Sequence, residues 1–336
     1  MPIITQYIMS AEQFLVTFRG VRGSLPSPLL SHDIEAKIAK VLEMAKPEDL
    51  KDESARQKFI ESLPEPVRGC YGGNSACVQL EVGGKNLVFD CGTGLRMLGL
   101  DLMEGEFAKG QGEIHIFLSH THWDHIMGLP FFLPLFTKGN RIIFYGAHTD
   151  IKERLMRQQD PRYFPVSFNS FTADVEVRTI DDQKSVVFGD ESDPITVTWK
   201  EMDHPGKSFS YRVEYRGRSV VYATDAEYKK LSPEDLKPTI DFFKDADLLI
   251  FDSQYTFIEG VEKEDWGHSS TFIGVDIALE AGVRNLAFFH HEPTYSDFKL
   301  LNVLEQTRKY LTAIGGDSKL HCFLARESAT RDLLAG

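Results

Sequence analysis

A dense group of metal-binding side chains lies within six positions of the chain. His120, His122, Asp124 and His125 come directly after the apolar run 114–118, which is predicted to be a buried strand. In a loop at the end of that strand, the first two histidines can point to one side while the aspartate and third histidine face a neighbouring point. Four ligands this close would crowd one tetrahedral ion, so the spacing indicates two. Imidazole and carboxylate suit zinc, manganese or iron(II).

Three further side chains can supply the remaining ligands of a metal pair. His204 lies in a polar turn between two predicted strands, whereas Asp225 and His290 follow the apolar runs 219–224 and 286–289. Rigid strand ends hold ligands in a fixed geometry, as a catalytic metal pair requires. A lone histidine or aspartate at a strand end is more often a cap or a hydrogen-bonded turn residue. Together with the first group, they favour metal ligation.

The composition indicates a globular protein that is large enough to bury a core. The chain has 336 residues, of which 42% are hydrophobic, and it contains no repeat or low-complexity linker, so one domain over 1–336 is expected. No apolar run is long enough to span a bilayer, and residues 1–13 lack the features of a signal peptide. We therefore expect a cytoplasmic protein without membrane contact. Its four cysteines lack CxxC spacing and are expected to be reduced.

The charge balance bears on the substrate. The chain has 37 Lys and Arg against 50 Asp and Glu, a net charge of −13. Proteins that grip a long nucleic acid usually carry basic patches that displace counterions, and basic clusters are few here. The expected partner is a small substrate whose charge the metal ions neutralise, and a long nucleic acid is not expected.

The elements that position these residues are predominantly strands. Two glycine-containing turns, Gly83-Gly84 and Arg216-Gly217, predict hairpins, and helices follow several later strands. This mixture predicts an α/β fold of stacked sheets with helices outside. The predicted strands span residues 15–19, 77–82, 86–90, 114–118, 141–145, 195–201, 208–215, 219–224, 248–251, 285–289 and 320–324.

Apolar residues recur at helical spacing in three segments. Residues 31–63 are predicted to be a helical insertion that serves as a lid, a packing hairpin, a dimer contact or filler. Further helices are predicted over 271–281, directly after His268-Ser269-Ser270, and over 297–314.

The metal-binding motif resembles that of a known superfamily. Residues 119–125 read Ser-His-Thr-His-Trp-Asp-His and are followed by Gly-Leu-Pro at 128–130, similar to the HxHxDH signature of the metallo-β-lactamase fold superfamily. The other landmarks, beginning with the Asp90 segment, occur in that superfamily's order across residues 15–325, with 31–63 outside the pattern. The resemblance implies a four-layer αββα sandwich and two divalent ions, with zinc expected first. It assigns His120, His122 and His204 to one ion and Asp124, His125 and His290 to the other, with Asp225 as the bridge.

Later motifs point to one branch of that superfamily. Residues 266–271 and 289–295 resemble the ribonuclease Z and cyclic nucleotide phosphodiesterase branch, and residues 19–26 and 71–74 look like its smaller phosphodiesterase-like members. Two features depart from ribonuclease Z. His291 and Glu292, whose roles stay open, replace its usual Phe and Ser, and no Gly/Pro-rich basic arm is present. The aspartate at the bridging position, where true β-lactamases carry Cys, argues against β-lactam hydrolysis.

The resulting expectation is hydrolysis of a small phosphodiester, foremost a cyclic nucleotide, by a hydroxide shared between the metal ions. Asp124 would orient that nucleophile, and His268 would protonate the leaving oxygen from a helix N-terminus. Asp90 would hold the free nitrogen of a ligand histidine, or cap a turn. The alternatives are RNA 3′-end cleavage of the ribonuclease Z kind, thioester hydrolysis like glyoxalase II, and a non-catalytic metal- or nucleotide-binding module. The resemblance also suggests a homodimer.

Overall fold

The computed structural model describes residues 12–335. The predicted domain 1–336 and the N-terminal segment 1–13 extend into residues 1–11 and 336, which lie outside the described residues. Between these limits the chain forms two seven-stranded sheets, and none of the helices there combines the length and apolar character that a bilayer span requires. The division into domains stays a prediction.

Both sheets are mixed. The first has the order β14-β1-β2-β3-β4-β5-β6 and the second the order β13-β12-β11-β10-β9-β8-β7. In each, one half is antiparallel, and the other half, β3 to β6 or β10 to β13, is parallel. The strands are β1 (Phe14–Gly20), β2 (Cys77–Val82), β3 (Lys85–Phe89), β4 (Glu113–Leu118), β5 (Arg141–Gly146), β6 (Asp174–Thr179), β7 (Val186–Phe188), β8 (Ile195–Met202), β9 (Ser208–Tyr215), β10 (Arg218–Ala223), β11 (Leu248–Asp252), β12 (Asn285–Phe289), β13 (His321–Leu324) and β14 (Thr330–Asp332).

The helices include those that the sequence predicts. The predicted insertion 31–63 contains two helices, and the helices expected over 271–281 and 297–314 are present within one residue of those limits. The helices are α1 (Ser31–Met44), α2 (Glu53–Ser62), α3 (Glu65–Arg68), α4 (Gly94–Leu102), α5 (Trp123–Ile126), α6 (Ile151–Gln158), α7 (Pro233–Phe243), α8 (Phe257–Glu262), α9 (Thr271–Glu280) and α10 (Asp297–Ala313).

Three apolar cores lie between the layers of sheets and helices. The central core joins side chains of both sheets, such as Phe18 of β1 and Phe289 of β12, whose rings lie 6.4 Å apart. A second core packs α4 and α6 against the first sheet. A third packs α7, α9 and α10 against the second sheet. The four-layer αββα sandwich is therefore confirmed.

The two predicted hairpins are also confirmed. Gly83 and Gly84 have φ of 53° and 74° between β2 and β3, and Arg216 and Gly217 have φ of 48° and 70° between β9 and β10. Positive φ at both central residues is typical of the tight hairpin turn that matches strand twist. These turns set the register of the antiparallel pairs β2–β3 and β9–β10.

Candidate metal centre

The predicted ligands meet where strands of both sheets end. Asp225 follows β10 by two residues, His290 follows β12, and Asp90, which was expected to hold a ligand histidine, follows β3. All three have positive φ, at 39°, 60° and 62°, so the chain turns sharply as it leaves each strand. Strained backbone of this kind clusters at functional sites, and Asp and His tolerate it better than branched residues do.

One group of donors lies on one side of Asp225. The ligand atoms of His120, His122, His204 and Asp225 all lie within 4.8 Å of one another. His204 Nε2 is 3.1 Å from His122 Nδ1. Asp225 Oδ2 is 3.5 Å from His120 Nε2 and 3.7 Å from His204 Nε2.

A second group lies on the other side of the same carboxylate. Asp124, His125, Asp225 and His290 also bring their ligand atoms within 4.8 Å. Asp225 Oδ1 is 3.1 Å from His125 Nε2 and 3.2 Å from His290 Nε2. Asp124 Oδ2 lies 3.2 Å and 3.1 Å from the same two nitrogens. The structure thus brings together both predicted sets, with Asp225 between them, while metal occupancy stays a prediction.

The orientation of the imidazoles fits metal ligation. Four ligand histidines place Nδ1 within hydrogen-bond distance of a fixed acceptor, so a neutral ring that donates from Nδ1 presents an unprotonated Nε2 to the centre. Nε2 of His120 is buried with no hydrogen-bond partner among the described residues, and burial holds the pKa of His120 well below its ordinary value. The acceptors are Ser119 Oγ for His120 at 3.0 Å, Asp90 Oδ2 for His125 at 2.7 Å, Gly267 O for His204 at 2.8 Å and Gln254 Oε1 for His290 at 3.1 Å.

The donor set therefore fits two divalent cations. A buried imidazole nitrogen without a partner is costly unless an ion or a proton donor satisfies it. Neutral imidazole and ionised carboxylate are the ligands that zinc, manganese and iron(II) accept. Asp90 holds a ligand histidine, as expected, since its carboxylate lies next to Nδ1 of His125. The same carboxylate accepts a hydrogen bond from the hydroxyl of Tyr222 at 2.8 Å.

Two glycines allow the backbone to close on the ligands. A Cβ at Gly23 would lie 2.3 Å from His290 Nδ1, and one at Gly267 would lie 2.4 Å from His204 Nδ1. Gly267 also has a φ of 83°, which disfavours any other residue. Neither glycine was assigned to the site from the sequence, since these contacts depend on long-range packing.

Asp124 is ionised and held in place. Its Oδ2 accepts the backbone N–H of Ser24 at 2.8 Å, and the residue is only 5% exposed. Burial alone would raise the pKa of the Asp124 carboxyl, but the imidazoles of His125 and His290 hold it well below its usual range. The carboxylate can therefore accept a hydrogen bond throughout the physiological range of pH.

His268 lies beside the second donor group. Its ring centroid is 5.0 Å from that of His290, and its Nδ1 is 2.9 Å from Asp252 Oδ2. Burial lowers the pKa of His268, but the surrounding carboxylates, Asp252 first, outweigh it and raise the pKa to about 9. The sequence missed Asp252, although it ends an apolar strand in the same way that Asp225 follows one.

Three buried histidines outside the ligand set have other partners. His115 Nδ1 lies 3.1 Å from the Tyr145 hydroxyl, and His148 Nε2 lies 3.0 Å from the carbonyl of Lys207, as expected for histidines outside the ligand set. His291 Nε2 donates to the carbonyl of Ala325 at 2.9 Å. Glu292 Oε2 accepts from Gln254 Nε2 at 2.9 Å and so steadies the amide that holds His290.

Solved structures with the same fold cover nearly the whole chain. The short form of human tRNase Z matches with a TM-score of 0.54 and 19% identity, over 95% of this chain and 99% of that one. Unliganded yeast PDE1 matches with a TM-score of 0.56 and 13% identity, over 95% of this chain and 99% of that one. At such identities the likeness shows the fold.

A sequence relative corrects the expectation about nucleic acid. Ribonuclease Z of Sulfurisphaera tokodaii is 26% identical over 257 residues, which are 64% of this chain and 80% of the relative. The resemblance to that branch is confirmed. The prediction that a long nucleic acid is not a partner is wrong, because the relative that matches over 80% of its own length is named as a ribonuclease. A net charge summed over the chain does not reveal where the basic residues lie.

The family assignment rests on the segment that contains all of the candidate ligands. Residues 85–291 match the family described as "Beta-lactamase superfamily domain". That span runs from β3 to one residue beyond His290, so it includes both donor groups and His268. The chain belongs to the β-lactamase superfamily and is a hydrolase with the metallo-β-lactamase fold.

Proposed function

We propose that this hydrolase is a dinuclear-metal phosphodiesterase. The arrangement of Asp225 carries the proposal, because its two oxygens face different donor groups while His268 stands beside the same centre. A carboxylate shared in this way supports two ions close together, as in enzymes that displace groups at phosphorus.

The ligand assignment follows the two donor groups. Bound there, two divalent ions, zinc in our proposal, supply Lewis-acid activation of water and neutralise charge on the phosphate. One ion would be held by His120, His122 and His204, the other by Asp124, His125 and His290, with Asp225 common to both.

Asp124 orients the attacking water in this proposal. Its carboxylate is fixed by the Ser24 N–H and is ionised, so it can accept a hydrogen bond from water and direct a lone pair at phosphorus. Burial around the carboxylate excludes competing solvent.

His268 protonates the leaving oxygen. The pairing of Nδ1 with Asp252 fixes the ring and leaves Nε2 as the proton donor. A carboxylate behind an imidazole both orients the ring and stabilises its protonated form. The position of His268 next to the ligand His290 supports delivery of this proton within the centre.

The proposed substrate is a cyclic nucleotide with either a 3′,5′ or a 2′,3′ ring. The motifs at 19–26 and 71–74, which resemble those of smaller phosphodiesterase-like proteins, support this choice. Cleavage near an RNA 3′ end is the second candidate, and the relative named ribonuclease Z favours it.

Turnover of both substrate classes tests the proposal. Zinc- or manganese-loaded protein is given cyclic nucleotides of both ring types with all four bases and, separately, an RNA with a 3′ extension. His120→Ala is the control. Metal-dependent cleavage that is lost in the control supports phosphodiesterase activity, and the cleaved class identifies the substrate. Absence of cleavage in both classes by fully metallated protein would refute it.

The proton-donor role has its own test. His268→Ala should lose turnover strongly on a substrate with a poor leaving group and little on a nitrophenyl ester, whose leaving oxygen needs no proton. Small and equal losses of turnover on both substrates would show that His268 has only a structural role.

A further inference from the structure

A cleft lined by several arginines lies away from the metal centre. It is a cleft of about 530 Å³ where α3 and α10 meet the strands β13 and β14. Three arginines, Arg308, Arg326 and Arg331, line it beside a single carboxylate, Glu65. Such a concentration of positive charge is unexpected in a chain with a net charge of −13.

The positive charges of these arginines have few carboxylate partners within the described residues. Arg326 Nε lies 3.8 Å from Glu65 Oε1, beyond hydrogen-bond distance. Arg308 Nη2 donates to the carbonyl of Cys322 at 2.9 Å, and the guanidinium of Arg331 lies 3.6 Å from the Phe323 ring centroid. Among residues 12–335, no carboxylate forms an ion pair with Arg308 or Arg331. Burial lowers the pKa of Arg331, with no carboxylate acting against it.

The rest of the cleft is apolar and aromatic. The apolar part of the lining includes Tyr71, Leu304 and Phe323, and the first two are 3% and 5% exposed. A cavity of this size falls within the range of roughly 300–1,000 Å³ typical of small-molecule sites. A guanidinium group can donate two parallel hydrogen bonds to the oxygens of one phosphate. Apolar side chains can pack against a planar base.

We propose that this cleft binds a nucleotide, with the three arginines on its phosphate and the apolar part of the lining against its base. The site is distinct from the metal centre, since none of its lining residues belongs to either donor group. It does not depend on the proposed phosphodiesterase activity. The phosphate can belong to a free nucleotide or to the end of an RNA.

A path of contacts joins the cleft to the metal centre. The Tyr71 ring packs edge-on against His291, with centroids 6.3 Å apart, and His291 directly follows the ligand His290. Tyr71 also accepts the backbone N–H of Glu327 through its carbonyl at 2.8 Å. One residue, Tyr71, therefore lies between the cleft and the segment that carries the ligand His290.

Calorimetric titration of metal-loaded protein with 5′-AMP tests the proposal. Binding of 5′-AMP should persist in His120→Ala, because the cleft does not include the metal centre. Arg331→Gln and Arg308→Gln should each weaken binding by about tenfold or more, because each variant loses a charged group that can form two hydrogen bonds with the phosphate. Arg157→Gln is the matched control, because Arg157 is a surface arginine whose side chain is 77% exposed.

Several outcomes would overturn the assignment. These are unchanged affinity in both cleft variants, equally tight binding of adenosine, no binding of 5′-AMP by wild type at millimolar concentration, or loss of binding in His120→Ala alone. Arg308 lies on the exposed surface of α10, so we expect Arg308→Gln to retain the fold, and thermal unfolding of each variant checks this. A 5′-phosphorylated RNA oligomer, titrated in parallel, distinguishes the sources: the same dependence on the arginines assigns the site to RNA ends, and binding of 5′-AMP alone assigns it to free nucleotide.

Discussion

Gly23 lies so close to His290 that a Cβ on the glycine would stand 2.3 Å from the imidazole Nδ1. The carbonyl of His291 accepts the backbone N–H of Gly23 at 3.0 Å, so the two segments cannot easily separate. That nitrogen of His290 already donates to Gln254. The glycine therefore sets the position of a ligand from a segment more than two hundred residues earlier in the chain.

We expect Gly23→Ala to displace His290 and to weaken the metal group that contains it. Metal analysis should show loss of about one ion per chain, accompanied by a fall in turnover of about a hundredfold. Gly260→Ala is the matched control, because a Cβ there meets nothing within 4 Å. Two retained ions together with wild-type turnover in Gly23→Ala would show that the contact is irrelevant to ligation.

Asp225→Asn should release both ions, not one. The change preserves the shape of the side chain but removes the charge that faces His120 on one side and His125 on the other. Metal content measured after dialysis should fall towards zero, and activity should fall with it. Asp245→Asn is the matched control for replacing an aspartate in a positive-φ conformation, because Asp245 has a φ of 53° but is exposed. If Asp225→Asn still holds two ions, the bridging role is wrong.

The sequence located most of the site because the parallel strands are buried on both faces. Their apolar runs are continuous, and a polar residue directly after such a run is conspicuous. Asp225 and His290 were found in this way, and the same signal at Asp252 was overlooked. Gly23 and Gln254 could not have been found, because their contacts with His290 depend on how distant segments pack.

The strands that the sequence missed lie mainly at the sheet edges. β6 is polar and only half-buried, and β7 and β14 have three residues each. Edge strands lack the continuous apolar pattern of the central strands, so periodicity does not reveal them. The prediction against a long nucleic acid was wrong for a related reason, because a net charge summed over the chain does not show where basic residues cluster.

Asp252 and His268 should act as a unit. Asp252→Asn removes the charge that orients the ring, whereas His268→Gln removes the proton donor itself. If both act on one step, the double variant should be little slower than His268→Gln alone. The measurement is turnover of a poor-leaving-group phosphodiester by wild type, both single variants and the double variant. Fully additive losses would mean that the two residues serve separate steps.

Acid should destabilise the fold through His115, which lies away from the metal ligands. Burial lowers the pKa of His115 to about 4, against the opposing effect of Glu113, whose carboxylate is 3.2 Å from Nε2. The neighbouring cations Lys85 and Arg141 lower it further, and Tyr145 contacts the other ring nitrogen. The unfolded chain, with an ordinary pKa near 6.5, therefore binds this proton first as the pH falls.

The sign of the effect follows from that order. Folding keeps His115 neutral between about pH 6.5 and 4, so its contribution to the free energy of unfolding is complete above this window and declines as the pH falls through it. Denaturant unfolding at pH 7 and pH 4.5 should show wild type losing about 2 kcal/mol more than His115→Gln, which carries no titrating group at this position. Measuring the difference between the two proteins cancels acid loss of metal, which affects both. An equal loss in both would show that His115 does not resist protonation in the folded state.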